Sequence, residues 1–254
     1  MSSAVEAGRR LAGRLASGAR TLASRSAYEA KTLVARSPGL AVRAARARGH
    51  GVLVDPATDI LIEGYPRSAN AFAVAAFRHA QGREVRVAHH THAPAHVLAA
   101  IRAGVPALVL IRDPAECVLE FVIVRPHLTV RQALRGWVRF YAALLPHRAE
   151  FVVGPFPEVT SDFGAVIRRV NERFGTSFRE FEHTEANVRA LFRHMDDYWR
   201  DRLGPGRSIE PFVGRPSEER ERWKAQMRAD YAATPSPLRE RAGALYRALA
   251  GGPP

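Results

Sequence analysis

The stretch TDILIEGYPRSANAFAVAAFRHAQG, residues 58–82, decides how the rest of the chain is read. Thr58–Gly64 is a short apolar strand, and Tyr65–Pro66 turns the chain out of it. From Asn70 to Gln81 the apolar residues return at helical spacing, and Gly82 supplies the stop. The same alternation then repeats. Glu84–His90 (EVRVAHH) reads as a strand with one face buried, and Ala95–Ala103 as a short helix ended by Gly104. Val105–Ile111 (VPALVLI) is an apolar run suited to a strand buried on both faces. Thr129 and Gln132 form a capping box opening a helix to about Leu145. Phe151–Phe156 (FVVGPF) is a fourth strand, followed by a helix that Ser161 caps and Gly175 ends. Residues 185–250 are helical, polar and interrupted by Gly-Pro and Pro-rich breaks, and there is no internal repeat. The pattern predicts a three-layer α/β/α fold with a mostly parallel central sheet, a helical C-terminal third and an N-terminal helical arm. Ligands in such folds sit beyond the C-terminal strand ends where the strand order reverses. That directs attention to 64–72, 89–94 and 112–120.

Composition narrows the class. The 254 residues are 46% hydrophobic and 25% charged, a globular balance, with a net charge of +13. The single cysteine, Cys117, excludes a disulfide framework and a cysteine zinc site. No apolar run reaches the roughly 18–20 residues of a membrane span, and no signal-peptide core is visible, so a soluble cytoplasmic protein is expected. Residues 1–50 hold ten basic and two acidic side chains, whereas the other 204 hold 28 and 23. This basic Ala/Arg-rich leader is expected to be a solvated helical arm with Leu11, Leu15 and Leu22 docked on one side. Weak contact with an anionic membrane surface, a nucleic-acid tether and an organelle transit segment are the other readings of it. It lacks interleaved aromatics, so no specific nucleic-acid partner is expected. The Ala/Arg-rich composition has a bacterial, high-GC look, which disfavours transit. Residues 51–254 are then one α/β domain, with about 185–254 on its acceptor side.

Three segments carry chemistry. In Tyr65-Pro66-Arg67-Ser68-Ala69-Asn70-Ala71-Phe72, a strand–loop–helix junction aims backbone N–H groups and a helix dipole at an anion. Arg67 adds a cation, and Ser68 and Asn70 add donors. It is not a Walker A loop, and no magnesium-holding aspartate follows a strand, which argues against a kinase or ATPase. Taken alone, the segment also reads as a serine- or asparagine-capped helix start. Arg112 ends the third strand, where a guanidinium can grip phosphate bidentately, or form a surface ion pair with Asp113. The third segment is His89-His90-Thr91-His92-Ala93-Pro94, with His96 beyond. A metal site of His90, His92 and His96 is one reading; a polar strand end without a role is another.

Together these segments resemble the sulfotransferase family, over about residues 58–175. The first is similar to the 5′-phosphosulfate loop, Y-P-K-S-G-T-T-W in cytosolic members and P-R-S-G-N-T-F in many bacterial relatives. Pro66, Arg67, Ser68, Asn70 and Phe72 match the bacterial form. Ala69 stands at the usual glycine and Ala71 at the usual hydroxyl residue. Arg112-Asp113-Pro114 is similar to the 3′-phosphate segment, in which a serine follows eight residues after the arginine; here that residue is Glu120. A carboxylate there repels a phosphate unless it points away or pairs with a cation. Thr91, His92 and Pro94 match the K-T-H-x-P stretch that carries the general base, with His90 at the lysine. Arg173-Phe174-Gly175 resembles a packing feature of the family. Gly214-Arg215-Pro216 with Arg220 and Lys224 is similar to the basic segment that closes over the 3′-phosphate, and also reads as a solvated helix start.

The resemblance implies a P-loop-like nucleotide-binding fold and transfer of a sulfuryl group from 3′-phosphoadenosine 5′-phosphosulfate to a hydroxyl or amine. The acceptor would be a small molecule or carbohydrate, and no metal is required. It assigns Arg67 to the bridging oxygen and 5′-phosphate, with Pro66, Ser68, Ala69, Asn70 and Ala71 around the 5′ end. Phe72 goes near the adenine, Arg112, position 120 and Arg215 to the 3′ end, and His92 to the acceptor's proton, a task that suits a neutral imidazole. The departures at 69, 71 and 120 leave open a nucleotide-binding relative without catalysis, and a nucleotide lacking a 3′-phosphate.

Overall fold

The computed structural model describes residues 18, 20–37, 39–40, 43, 47, 51–215 and 217–251. Helix α1 covers 20–34. It is followed by β1 (Ile60–Gly64), α2 (Asn70–Gln81), β2 (Val87–His89), α3 (Pro94–Arg102), β3 (Ala107–Ile111) and α4 (Pro114–Val124). Then come α5 (Val130–Leu144), a 3₁₀ turn at Leu145–Glu150, β4 (Val152–Pro155), α6 (Phe156–Ser161) and α7 (Phe163–Phe174). The C-terminal third is α8 (Glu185–Leu203), α9 (Glu218–Ala232) and α10 (Ser236–Ala250). No helix among the described residues is long and apolar enough to cross a membrane.

The four strands pair in parallel in the order β2-β1-β3-β4. Alternate residues face opposite ways, as strand geometry requires. Leu61, Ala107, Val109, Ile111 and Val153 face a core built with α3, α4, α5 and α10. Ile60, Ile62, Val87, Leu108, Leu110 and Val152 face a second core built with α2 and α7. Two cores on one sheet make the expected three layers. From β1 the chain steps outward to β2, then returns past β1 to β3, so the order reverses between β1 and β3. The two strands meet closely there: a Cβ on Gly64 would lie 2.5 Å from the carbonyl oxygen of Leu110.

Several expected boundaries shift. Gly82 closes α2 in a left-handed conformation (φ 61°) as read, and Thr129 with Gln132 forms the capping box of α5. Ser161 does not cap the following helix. It ends α6, its hydroxyl donating to Pro157, and Asp162 caps α7 by accepting from the Ala165 N–H. Of the leader, Leu11 and Leu15 lie outside the described residues, and Leu22 is 63% exposed, so it does not dock. α1 is held instead by Tyr28, whose hydroxyl lies 2.6 Å from that of Tyr65, and by Glu29, which pairs with Arg135 and Arg139.

Candidate functional site at the strand-order reversal

The loop leaving β1 is shaped by two non-glycine residues with positive φ, Arg67 (73°) and Ala69 (69°). Pro66 and Ser68 are pinned from beneath. The Cys117 thiol donates to the Pro66 carbonyl (3.2 Å), and Ser68 Oγ lies 3.5 Å from Cys117 Sγ and 3.3 Å from Tyr141 Oη. Tyr141 in turn donates to the carbonyl of Leu110 on β3 (2.7 Å), so one hydroxyl ties the loop to the neighbouring strand. Burial pushes the Cys117 thiol up to about 12, so it serves here as a neutral donor. Ala69 occupies the N-cap of α2 and offers no side-chain cap, which overturns the serine- or asparagine-capped reading. Asn70 instead donates Nδ2–H to the Tyr65 carbonyl (3.0 Å), leaving its buried Oδ1 without a partner. Ala71 is exposed. Phe72 is buried among the rings of Phe181, His183 and Phe192.

Beside this loop, cations converge on one buried carboxylate. Glu120 on α4 is paired with Arg220, and Arg67, Lys224 and Arg112 lie at 3.4, 3.8 and 4.0 Å. Burial alone would raise its carboxyl, but the hydrogen bond from Arg220 and the charge of Arg67 hold it below the usual range. Arg67 also donates to the carbonyls of Phe212 (3.0 Å) and Val213 (3.4 Å), while its buried Nε has no partner. Its guanidinium is lowered to about 10 by burial, against the pull of Glu120. Arg112 donates to the Arg67 carbonyl (3.3 Å) and lies over the Phe156 ring at 4.0 Å. Asp113, rather than pairing with Arg112 at the surface, caps α4 by accepting from the Ala115 and Glu116 N–H groups.

Arg220 and Lys224 are 1% and 4% exposed, so they form no solvated helix start. Their i, i+4 spacing on α9 faces Glu116 and Glu120, at the same spacing on α4, with Lys224 Nζ 2.7 Å from Glu116. The matching intervals are visible in the sequence; the pairing of elements a hundred residues apart is not. Arg215 stands outside this group and pairs with Asp196 at 2.5 Å.

The histidine segment follows β2. His92 (φ 51°) directs Nδ1 at the carbonyl of Gly64, 2.8 Å away, on the last residue of β1. That contact places the ring proton on Nδ1 and leaves the Nε2 lone pair for a proton. Burial drops the imidazole to about 4, so it is neutral at pH 7. His96, read as a ligand candidate, is spent on structure: Val54 N–H donates to Nε2 (2.9 Å), and Nδ1 lies 3.0 Å from Thr91 Oγ1. Among the described residues no group of three or more potential ligands is placed to hold a metal ion. His89 lies 2.6 Å from His90 through their Nδ1 atoms and 3.3 Å from Arg78. Glu63 was missed by sequence reading. It is fully buried behind His92, and its signal was a lone acid in an otherwise apolar strand.

No family model and no curated protein sequence matches the chain. Among solved structures, the crystal structure of mouse sulfotransferase SULT7A1 complexed with PAP is similar to it, with 10% sequence identity and a TM-score of 0.41, covering 77% of this chain and 85% of that one. A likeness that distant carries no functional inference.

Proposed function

We propose that the chain is a sulfotransferase-like transferase, moving a sulfuryl group from 3′-phosphoadenosine 5′-phosphosulfate to a hydroxyl or amine of a small-molecule or carbohydrate acceptor. One observation carries the reading. Segments 65–72, 89–92 and 112–120 meet where the strand order reverses, joined by the His92–Gly64 and Arg112–Arg67 hydrogen bonds. The residues present suit a nucleotide anion: a helix start without a side-chain cap, and a buried Arg67 Nε–H that lacks a partner. The donor supplies an activated sulfuryl group. Arg67 and the α2 amides would hold its 5′ end, Ser68 would keep the loop in place, and Arg112 would face the 3′ end. His92, with its proton held on Nδ1, would receive the acceptor's proton on Nε2.

Calorimetry with 3′-phosphoadenosine 5′-phosphate, ADP and AMP tests the donor site. Micromolar binding that depends on the 3′-phosphate is expected, weakened about tenfold or more by Arg67→Ala. His92→Ala should bind the same nucleotide yet lose about 10²–10⁴ in transfer rate. A second reading, a nucleotide-binding relative without catalysis, is favoured by Glu120, whose carboxylate already engages the cations a phosphate would need. Equal binding of the three nucleotides would favour it, and absence of all binding would sink both.

A further inference from the structure

β1 is Ile-Leu-Ile-Glu-Gly, with every residue buried and Glu63 at 0% exposure. A carboxylate in that position is tolerated only if donors surround it. Its Oε1 accepts from Thr91 N–H (2.5 Å) and Thr91 Oγ1–H (2.8 Å), and both oxygens accept from His92 N–H at 3.3 Å. The Gly64 N–H adds a bond at 3.3 Å, and His96 Nδ1 stands 3.5 Å away. Because Val54 N–H donates to His96 Nε2, Nδ1 of His96 carries the hydrogen and points it at Thr91 and Glu63. Burial alone would raise the Glu63 carboxyl, but the hydrogen bond from His96 and the positive charge that His92 carries in acid hold it down to about 2. His92 needs such support: its φ of 51° is a left-handed conformation that costs a non-glycine residue energy, and its N–H is gripped by Glu63. Its ring is gripped on the same side, with Nδ1 on the Gly64 carbonyl and 3.7 Å from Glu63 Oε2.

We infer that Glu63 is the positioning residue that makes His92 a base: it fixes the backbone and ring of His92 and supplies the negative charge that an imidazolium there requires. The inference rests on the transferase reading above. In the transfer step the acceptor oxygen bonds to sulfur, and the bond from sulfur to the bridging phosphate oxygen breaks. Its electron pair stays on the 5′-phosphate, and the acceptor's proton goes to His92 Nε2 and later to solvent. Glu63 stays ionised throughout. The charged and titratable groups facing His92 are Glu63 from β1, His90 from the same loop, its ring 5.6 Å away, and Lys31 from α1, with His96 from α3 on the far side of the carboxylate. Of these only Glu63 is an anion.

Glu63→Gln preserves the shape and removes the charge. The histidine ring protons of wild type and variant are titrated by NMR, with the His92 signal assigned by its loss in His92→Asn. The His92 midpoint is expected to fall by about one pH unit or more in Glu63→Gln, while 3′-phosphoadenosine 5′-phosphate binds as before. With p-nitrophenol as probe acceptor, kcat should drop about tenfold or more at unchanged donor KM, and Glu63→Asp should recover part of it. If Glu63→Gln does not fold, Glu63→Asp, which keeps the charge but draws it back from the ring, should shift the His92 midpoint the same way by less. An unmoved His92 midpoint in a folded variant overturns the role of Glu63, with or without turnover. If His92→Ala transfers at the wild-type rate, the base assignment itself falls.

Discussion

Ala69 holds φ 69° and ψ 22° at the start of α2, a conformation costing a residue with a Cβ about 1–2 kcal/mol. Glycine is free there but gives the unfolded chain more entropy, so the two effects partly cancel. Ala69→Gly is expected to stabilise the protein by about 0.5 kcal/mol, read from urea midpoints at constant slope. A clear loss would mean that the alanine methyl is worth more than the strain. Glu120 makes the opposite case, since the charges around it were collected to satisfy it. Glu120→Gln leaves Arg67, Arg112, Arg220 and Lys224 without their shared counter-charge, and the loss should be about 3–5 kcal/mol. Added sulfate should then restore thermal stability in the variant far more than it raises that of the wild type, because only in the variant are these four cations left without an anion among them. Equal responses would show that the cations need no anion at this point.

Helix ends follow the same logic on a larger scale. Asp162, not Ser161, accepts from the first turn of α7, so Asp162→Ala should cost about 1 kcal/mol while Ser161→Ala stays within about 0.5. Thermal midpoints of the two variants side by side decide it. The element most legible in advance was α2, Asn70–Gln81, because apolar periodicity and a left-handed glycine marked both ends. Most obscure was α4, despite an Asp-Pro start. Positions 117–122 are buried all the way round, between α5 and α9, so no polar face prints a helical period on PAECVLEFVIV. The cations of α9 were obscured for a related reason. Arg220 and Lys224 look like solvent-facing charges until α4 brings Glu116 and Glu120 opposite them.

For the whole molecule, alternation of strands and helices disclosed the layers but not the strand order, since that depends on which strand each crossover returns to. The order β2-β1-β3-β4 puts Glu63 and the histidine segment together at one sheet end, and their protonation sets how the fold meets acid. Burial first, then the charge of His90, lowers His89 and His92 from 6.5 to about 4, in His92 against the pull of Glu63. Between those values the unfolded chain binds protons that the folded chain refuses, so stability present near pH 7 is lost as pH falls from 6.5 toward 4. Glu63 is depressed from 4.5 to about 2, so its contribution is complete above 4.5 and is lost below it. Urea midpoints measured from pH 8 to pH 3 should therefore be flat down to about 6.5 and then fall in two overlapping stages. Replacing His89 and His92 together by glutamine should flatten the upper stage and leave the lower one in place. A midpoint that holds constant from pH 7 to pH 5 in the wild type would mean that the two rings already meet water in the folded protein, and their partial burial at this sheet end would have to be abandoned.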